Sequence, residues 1–416
     1  MSAPQRETLE REIKLRVGPG FVLPPLSGRP LHSRVFTSTY YDTNEYRLAR
    51  HGITLRYRQE GVRGVWQLKL PANEARRELE FSGGRKMPPS AITDLLYAHL
   101  RGESLRPIAK LRTRRTGVRA LELDEPIADV VVDSVAVLDG RKMLRRFSEV
   151  EIEQVGGHGA AVRRIEKRVR KAGAEDGDPR PKVFQALDLA WPTPPLVAAP
   201  GAPPVEHLKA LVQLQADRLL QHDPGTRLGT DVEDVHQMRV ATRRLRAALR
   251  AAGPMLAADW AESLRGELAW LGGALGAVRD LDVLSANLRA ECATLRPSER
   301  RACARWIDAL ARERAEKRTE LLRALTGERY LALLDRLEAA AASPVVTDAP
   351  VGLPDLARKA DRALRGAVRA RGLAGSDASL HRLRILGKRA RYAAELAEAA
   401  IGTPAVRYLK QLQRWQ

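Results

Sequence analysis

The sequence predicts two domains of different class, a β-rich α+β half followed by an all-α half, and three observations predict it. The stretch WPTPPLVAAPGAPP, Trp191 to Pro204, is uncharged and Pro-rich, as a stiff linker is. Before it, short segments alternate apolar and charged residues and are broken by Gly, Pro and Asn; after it, Ala, Leu and Arg recur at helical spacing over long runs. At 416 residues the chain exceeds one ordinary core, so domains at 1–190 and 205–416, joined by 191–204, are expected.

The strands follow from period-two alternation. In LEREIKLRV, from Leu9, residues Glu10, Glu12 and Lys14 share one face while Leu9, Ile13, Leu15 and Val17 share the other. Further strands are ITLRYRQ from Ile53, VWQLKL from Val65, RRELEF from Arg76, AKLRTRR from Ala109, ADVVVDSVAV from Ala128 and SEVEIEQV from Ser148. Each has a charged face: Arg56 with Arg58, Lys69 beside Gln67, Arg76 with Glu78 and Glu80, Lys110 with Arg112 and Arg114, and Glu149 with Glu151 and Glu153. Such faces suit either a sheet wet on one side or a barrel with a polar lumen. Unpaired charge cannot line a dry lumen, so the second arrangement requires a charged ligand. A phosphate chain with divalent cations meets both signs, guanidinium and ammonium groups taking phosphate oxygens and carboxylates taking the metal.

The net charge of +20 is spread evenly: 35 Lys and Arg against 25 Asp and Glu in residues 1–190, and 36 against 26 afterwards. Both halves therefore suit a polyanionic partner. Cys292 and Cys303 have no His at zinc-site spacing and are expected as free thiols of a reducing compartment. No run of about 18 apolar residues occurs, so no membrane span is expected and a cytoplasmic location follows.

The ordered set Glu10-x-Glu12-x-Lys14, TYYDTNEYRLARHGITLRYR from Thr39, WQLKL, RRELE and EVEIE resembles the CYTH domain, or triphosphate tunnel metalloenzyme fold, over roughly residues 7–190. The resemblance implies an eight-stranded antiparallel β tunnel with peripheral helices that binds triphosphates with Mg²⁺ or Mn²⁺. It implies Lys14 and Lys69 as catalytic cations, and Arg56, Arg58, Arg76, Lys110, Arg112, Arg114 and Lys182 as phosphate-binding residues. Glu10, Glu12, Glu78, Glu80, Glu151 and Glu153 are then metal ligands, with Glu149 and Asp133 as further carboxylates and Tyr40 or Tyr41 as proton-transfer partners of Lys69.

Two later segments match each other: VHQMRVATRRLRAAL from Val235 and LHRLRILGKRARYAAEL from Leu380. Both fit H-x-x-R-x-x-x-[RK]-R-x-R, with His236, Arg239, Arg243, Arg244 and Arg246 in one copy and His381, Arg384, Lys388, Arg389 and Arg391 in the other. Offsets of about 0, 3, 7 and 10 fall within roughly 80° of a helix, so each copy presents a basic stripe. A stripe repeated from the same His suggests an internal duplication. With LGAVRDLDVL from Leu275, these stripes resemble the CHAD domain, which implies two pseudo-symmetric four-helix repeats that bind inorganic polyphosphate. The second copy stops at VRYLKQLQRWQ, where the first continues through a further helix, so the second repeat is expected to be incomplete, with an apolar face open to a second copy.

The combined expectation is an inorganic triphosphatase with a polyphosphate-binding module, placed at polyphosphate granules in the cytoplasm. Thiamine triphosphate hydrolysis, nucleotide cyclisation and non-catalytic docking to polyphosphate stay open. Nucleic acid is disfavoured, because no aromatic stacking platform interleaves the basic stripes.

Overall fold

In the computed structural model, which describes residues 4–72, 75–156, 159–193, 196–349, 351–371 and 376–414, the chain divides into two compact units, Met1–Thr193 and Pro194–Gln416. The division falls inside the Pro-rich stretch. Trp191 at its head packs on Phe184, ring centroids 5.1 Å apart, and a helix has begun by Pro204.

The first unit runs β1 (Arg6–Glu10), β2 (Glu12–Arg16), β3 (Gly28–Asp42), α1 (Arg47–Arg50), β4 (Thr54–Glu60), β5 (Arg63–Ala72), β6 (Ala75–Phe81), α2 (Ser90–Leu95), α3 (Tyr97–Leu100), β7 (Arg106–Glu122), β8 (Glu125–Asp139), β9 (Lys142–Gln154), α4 (Gly159–Lys171), β10 (Glu175–Asp176) and α5 (Lys182–Leu187). All strand pairs are antiparallel, in the order β1-β6-β5-β4-β3-β7-β8-β9-β2-β10. Only Arg11 separates β1 from β2, yet β1 pairs with β6 and β2 with β9, across the whole order. One run of chain therefore closes the sheet into a tunnel. Counting β1 with β2 as one strand and setting the two-residue β10 aside, the tunnel has eight strands.

Outside the tunnel, Leu15, Val130, Val150 and Ile152 bury their side chains against Ala161, Val162, Ile165 and Val169, one face of the amphipathic α4. Inside, Val183 and Phe184 of α5 pack on Tyr40, Leu111, Val135 and Val137, inner-face residues of β3, β7 and β8. Helix α5 thus seals part of the lumen. The two-residue β7–β8 turn, Leu123 and Asp124, takes positive φ at both positions (50° and 66°), the backbone that matches the twist of a tight hairpin.

The second unit is helical: α6 (Pro204–Leu228), α7 (Val232–Ala251), α8 (Ala258–Ala293), α9 (Pro297–Thr326), α10 (Glu328–Ala342), α11 (Leu353–Arg371), α12 (Asp377–Leu396), α13 (Glu398–Ile401) and α14 (Thr403–Arg414). Gly229, at φ 75°, ends α6, and the Asp231 side chain caps α7 by accepting from the Glu233 N–H at 2.8 Å. Helices α6, α7, α8 and α10 form one group and α11, α12 and α14 another, with α12 packed on α7. No helix among the described residues is long and apolar enough to cross a membrane.

The expectation of free thiols is overturned: Cys292 and Cys303 form a disulfide, Cα atoms 6.2 Å apart. The chain turns back between Ala293 and Pro297, so the end of α8 lies beside the start of α9.

A buried ionic network ties this unit together. Arg227 donates from Nε to Asp223 Oδ1 (2.6 Å) and from Nη2 to the Leu325 carbonyl (2.7 Å), while Tyr330 Oη donates to Asp223 Oδ2 (2.8 Å). Asp223, Arg227 and Tyr330 are at most 1% exposed. Asp223→Ala removes one partner of this buried ion pair, so urea unfolding of the variant is expected to show a loss of about 3–5 kcal/mol.

Candidate active site in the tunnel and a basic helical groove

The inner face of the tunnel encloses a cavity of about 430 Å³ whose lining is almost wholly polar; Val65 and Pro181 are its aliphatic members. Register decides who points inward. Across β4, β5 and β6, Arg56 lies opposite Gln67, Gln67 opposite Glu80, and Lys69 opposite Glu78. Across β7, β8 and β9, Arg115 lies opposite Asp133, and Asp133 opposite Glu149; Lys14 of β2 lies opposite Glu151.

These neighbours form two ionic clusters. In the first, the Lys69 ammonium bridges Glu10 and Glu78, 2.7 Å from Glu78 Oε2. Gln67 donates to Glu78 Oε1 (2.8 Å) and Glu80 Oε1 (2.7 Å) and accepts from Arg56 Nε (2.7 Å); Arg56 Nη1 also donates to Tyr40 Oη (3.2 Å). Burial pushes the Glu10 carboxyl up to about 7, against the pull of Lys69 and with the help of Glu78. Burial pushes Glu78 upward too, but Lys69 and Arg56 outweigh it and hold Glu78 at about 2. The two carboxyls share one ammonium, and the charge on Glu10 is the less favoured of the two.

The second cluster centres on Lys182. Asp133, Glu149 and Glu151 each bring a carboxylate oxygen within 4.8 Å of the others, a spacing that suits a cation. The Lys182 ammonium takes that place, 3.0 Å from Asp133 and 2.6 Å from Glu149 and bonded to Glu151. Arg115 completes the balance with bonds of 2.7 and 2.6 Å to Asp133 and 2.6 Å to Glu151. Burial disfavours the charged forms, yet Lys182 and Arg115 hold Glu151 well below the usual carboxylate range. Nearby, Glu153 is raised by burial and by the charges of Glu151 and Glu12.

In the helical unit the two stripes meet. Arg243, Arg246 and Arg250 of α7, Lys359 of α11, and Lys388 and Arg389 of α12 line one groove of about 620 Å³. Not every stripe residue joins it. Arg239 donates to Asp280 Oδ1 (2.7 Å) and the Gly276 carbonyl (3.0 Å). Arg244 and Arg391 flank Glu395, at 3.9 and 3.4 Å. His236 is lowered by burial, then by the cationic neighbours Arg279, Arg243 and Arg239; His381 and Arg384 are exposed and outside the groove lining.

Residues 8–178 match the family model described as the CYTH domain and residues 210–416 that of the CHAD domain. An uncharacterized protein of Mycobacterium tuberculosis is 31% identical over 425 residues, 93% of this chain and 82% of its own. The chain belongs to the CYTH–CHAD family. Similar solved structures include PptA from Streptomyces chartreusis (25% identity, 51% of this chain and 82% of that one, TM-score 0.43). Others are the CHAD domain of the plant Ricinus communis (26%, 53% and 75%, TM-score 0.43) and HpAC1 from Hippeastrum, described as having a dominant triphosphatase activity (16%, 44% and 98%, TM-score 0.29).

Of the tunnel residues that sequence singled out, Glu10, Glu12, Lys14, Arg56, Arg58 and Lys69 line the CYTH cavity, as do Arg76, Glu78, Glu80, Glu151, Glu153 and Lys182. Lys110, Arg112 and Arg114 do not: they lie opposite Thr39, Thr37 and Val35 on the outer face, with Arg112 and Arg114 exposed. The inward set of β7 is Leu111, Thr113, Arg115 and Arg119, because the lumen near α5 is apolar and β7 enters it there. Sequence reasoning therefore missed Arg115 and Arg119, and also Arg34. A signal existed in β8: Asp129 and Asp133 share the parity of Val131 and Val135, and an acid among valines demands a partner across the ladder.

Lys182→Ala leaves Asp133, Glu149 and Glu151 with Arg115 and the weaker pull of Lys14, so the folded-state pKa of Glu149 and Glu151 moves up, above the unfolded value of about 4.3. Raised carboxyls stabilise below their unfolded pKa and lose that stability as pH rises through the folded one. Melting of the variant in EDTA should accordingly fall further below wild type at pH 8 than at pH 5; a deficit equal at both pH values would contradict the assignment.

Proposed function

We propose that the CYTH unit hydrolyses inorganic triphosphate to diphosphate and phosphate with a divalent cation, and that the CHAD unit binds inorganic polyphosphate. The supporting observation is the segregation of charge around the closed tunnel. Following the strand order, β3 lies diametrically across from the β1–β2 run. The lining residues of β3, β4 and β7 are mostly cations, Arg34, Arg56, Arg58, Arg115 and Arg119 against Glu60, and those of β1, β2, β6 and β9 mostly carboxylates, Glu10, Glu12, Glu78, Glu80, Glu151 and Glu153 against Arg6, Lys14 and Arg76. A triphosphate between these walls meets guanidinium groups on one side and carboxylates on the other.

The acidic wall fits a hard dication. Glu10 and Glu153 are both pushed up, first by burial and then by neighbouring carboxylates, Glu78 for the one and Glu151 and Glu12 for the other, so a dication among them would favour their charged forms. Glu10, Glu12, Glu78, Glu80 and Glu153 would hold a divalent cation, Mg²⁺ or Mn²⁺, which would supply charge neutralisation at phosphate oxygens and acidify water. Glu151, paired with Lys182 and Arg115, is left out of that set.

The chain's own groups do the rest. Arg58 is pushed down to about 10 by burial and by Arg56, Arg115 and Arg34, so the basic wall repels itself until an anion arrives. Its guanidinium stacks 3.8 Å over the Phe36 ring, which holds its plane toward the lumen. Arg76 donates from Nη2 to the Gly52 carbonyl (3.0 Å) and Thr54 Oγ1 (3.2 Å), with Glu12 and Glu10 near enough to favour its charge against burial. Arg56, Arg58 and Arg76 orient the chain and stabilise charge on the departing diphosphate. The lining, polar but for Val65 and Pro181 among the described residues, favours inorganic triphosphate over thiamine triphosphate or a nucleotide.

For the CHAD unit, the support is a groove in which six cations gather on α7, α11 and α12. Their mutual repulsion is relieved by a polyanion.

The deciding experiment is phosphate release from inorganic triphosphate with Mg²⁺ and with EDTA, beside ATP and thiamine triphosphate. Metal-dependent release from triphosphate above the other two is expected, and Glu12→Ala should abolish it while leaving polyphosphate binding intact. No release from any substrate, with polyphosphate still bound, would make the tunnel a docking site. Arg243→Glu combined with Lys388→Glu is expected to weaken polyphosphate binding by about ten-fold or more and leave triphosphate turnover unchanged; equal loss of both would refute the division of labour.

A further inference from the structure

The groove between α7, α11 and α12 has a second character that a bare phosphate chain does not use. Between its cations lies an apolar floor: Ala247 and Ala251 of α7, Leu356 and Ala360 of α11, Ile385 and Leu386 of α12. An inorganic chain carries charged oxygens on every side, so laying it on this floor strips water from oxygens and returns no hydrogen bond. The floor is therefore matched by an occupant with an apolar face. Its volume, about 620 Å³, is that of a small-ligand site, where apolar walls bind and a few polar groups orient.

Those polar groups are present and unspent. Tyr392, 7% exposed, lines the groove with a hydroxyl that is buried and has no hydrogen-bond partner, and Arg246 Nε is in the same condition. None of Arg243, Arg246, Arg250, Lys359, Lys388 and Arg389 has a carboxylate ion-pair partner among the described residues. Burial, and then Arg265, Arg389 and Arg246, make the charge on Arg250 less favourable, as expected of cations awaiting an anion. A buried donor without a partner costs about 1–3 kcal/mol, and a ligand that supplies acceptors recovers it.

We infer that this groove binds an organic phosphate of the nucleoside diphosphate class, its ring on the apolar floor and its phosphates on the surrounding Arg and Lys side chains. The ring edge offers acceptors to Tyr392 Oη and Arg246 Nε. The site goes beyond polyphosphate binding, since it recognises the group that inorganic polyphosphate lacks.

The test photolabels the full chain with ADP carrying an azide on its base and maps the labelled peptides. Label is expected on α7, α11 and α12, protected by unlabelled ADP and not by the same concentration of inorganic diphosphate. Ala360→Leu fills the floor without touching a charge; it should cut labelling about ten-fold and change polyphosphate affinity by no more than about two-fold. Arg389→Glu, at an exposed position that does not test packing, should reduce both and keeps the test open if the first variant does not fold. Labelling confined to tunnel strands, or inorganic diphosphate protecting as well as ADP, would overturn the inference. Loss of polyphosphate binding with helix labelling retained would overturn the phosphate-chain reading and leave this one standing.

Discussion

Charge inside a closed sheet is the constraint on which the rest of the CYTH unit depends. An ion moved from water into such an interior costs several kcal/mol unless it is paired and hydrogen-bonded. Here pairing is written into strand register: Lys69 faces Glu78, Arg115 faces Asp133 and Lys14 faces Glu151 directly across the ladder. A slip of one residue would turn those charges outward and drive Leu15, Val150 and Ile152 into the lumen. The burial of those same apolar residues under α4 opposes that slip. The core on the outer face and the ion pairs on the inner face therefore enforce one another.

Pairing is incomplete where incompleteness is useful. The carboxylates of β1, β2, β6 and β9 exceed the ammonium groups among them, and the arginines of β3, β4 and β7 exceed their acids. Helix α5 shows the contrary case: it inserts Lys182 among Asp133, Glu149 and Glu151 while Val183 and Phe184 anchor it on apolar inner-face residues. That end of the lumen, where Lys182 and Arg115 pair the three carboxylates, is internally bonded and closed; the remainder is open to a ligand. The boundary between the two regions runs through Arg115, which bonds to the sealed acids and adds its charge to the basic wall.

Much of this was legible from the sequence, because alternation is a one-dimensional signal. The strand segments, the change to helical period after the Pro-rich stretch and the inward parity of Glu10, Glu12, Lys14 and Arg56 all follow from spacing. Parity fails where both neighbours are charged. Arg114 and Arg115 are adjacent, so charge alone cannot say which enters the lumen, and the choice of Lys110, Arg112 and Arg114 followed the longer charged run onto the outer face. Long-range facts were out of reach for a different reason. The Asp223–Arg227–Tyr330 network spans 107 residues, and the Cys292–Cys303 disulfide depends on a helix break whose only local mark is Pro297. Closure of the tunnel came from the family resemblance and not from spacing, since nothing in Glu10-Arg11-Glu12 announces that its two sides pair with strands at opposite ends of the sheet.

The CHAD unit handles the same charges by the opposite strategy, and the difference has a physical consequence. Its groove cations are mostly exposed, so water and salt screen their repulsion over about 8 Å at physiological ionic strength, and the fold tolerates them without carboxylate partners. Where an arginine on α7 or α12 does carry an acid, as Arg239 does with Asp280 and Arg244 and Arg391 do with Glu395, it is withdrawn from the groove. Partnering thus withdraws Arg239, Arg244 and Arg391 from a repeated sequence stripe and leaves Arg243, Arg246, Lys388 and Arg389 available in the groove, while His381 and Arg384 are exposed outside it. The repeat specifies where the cations lie along each helix; the acids of α8 and α12 decide which of them can meet a ligand.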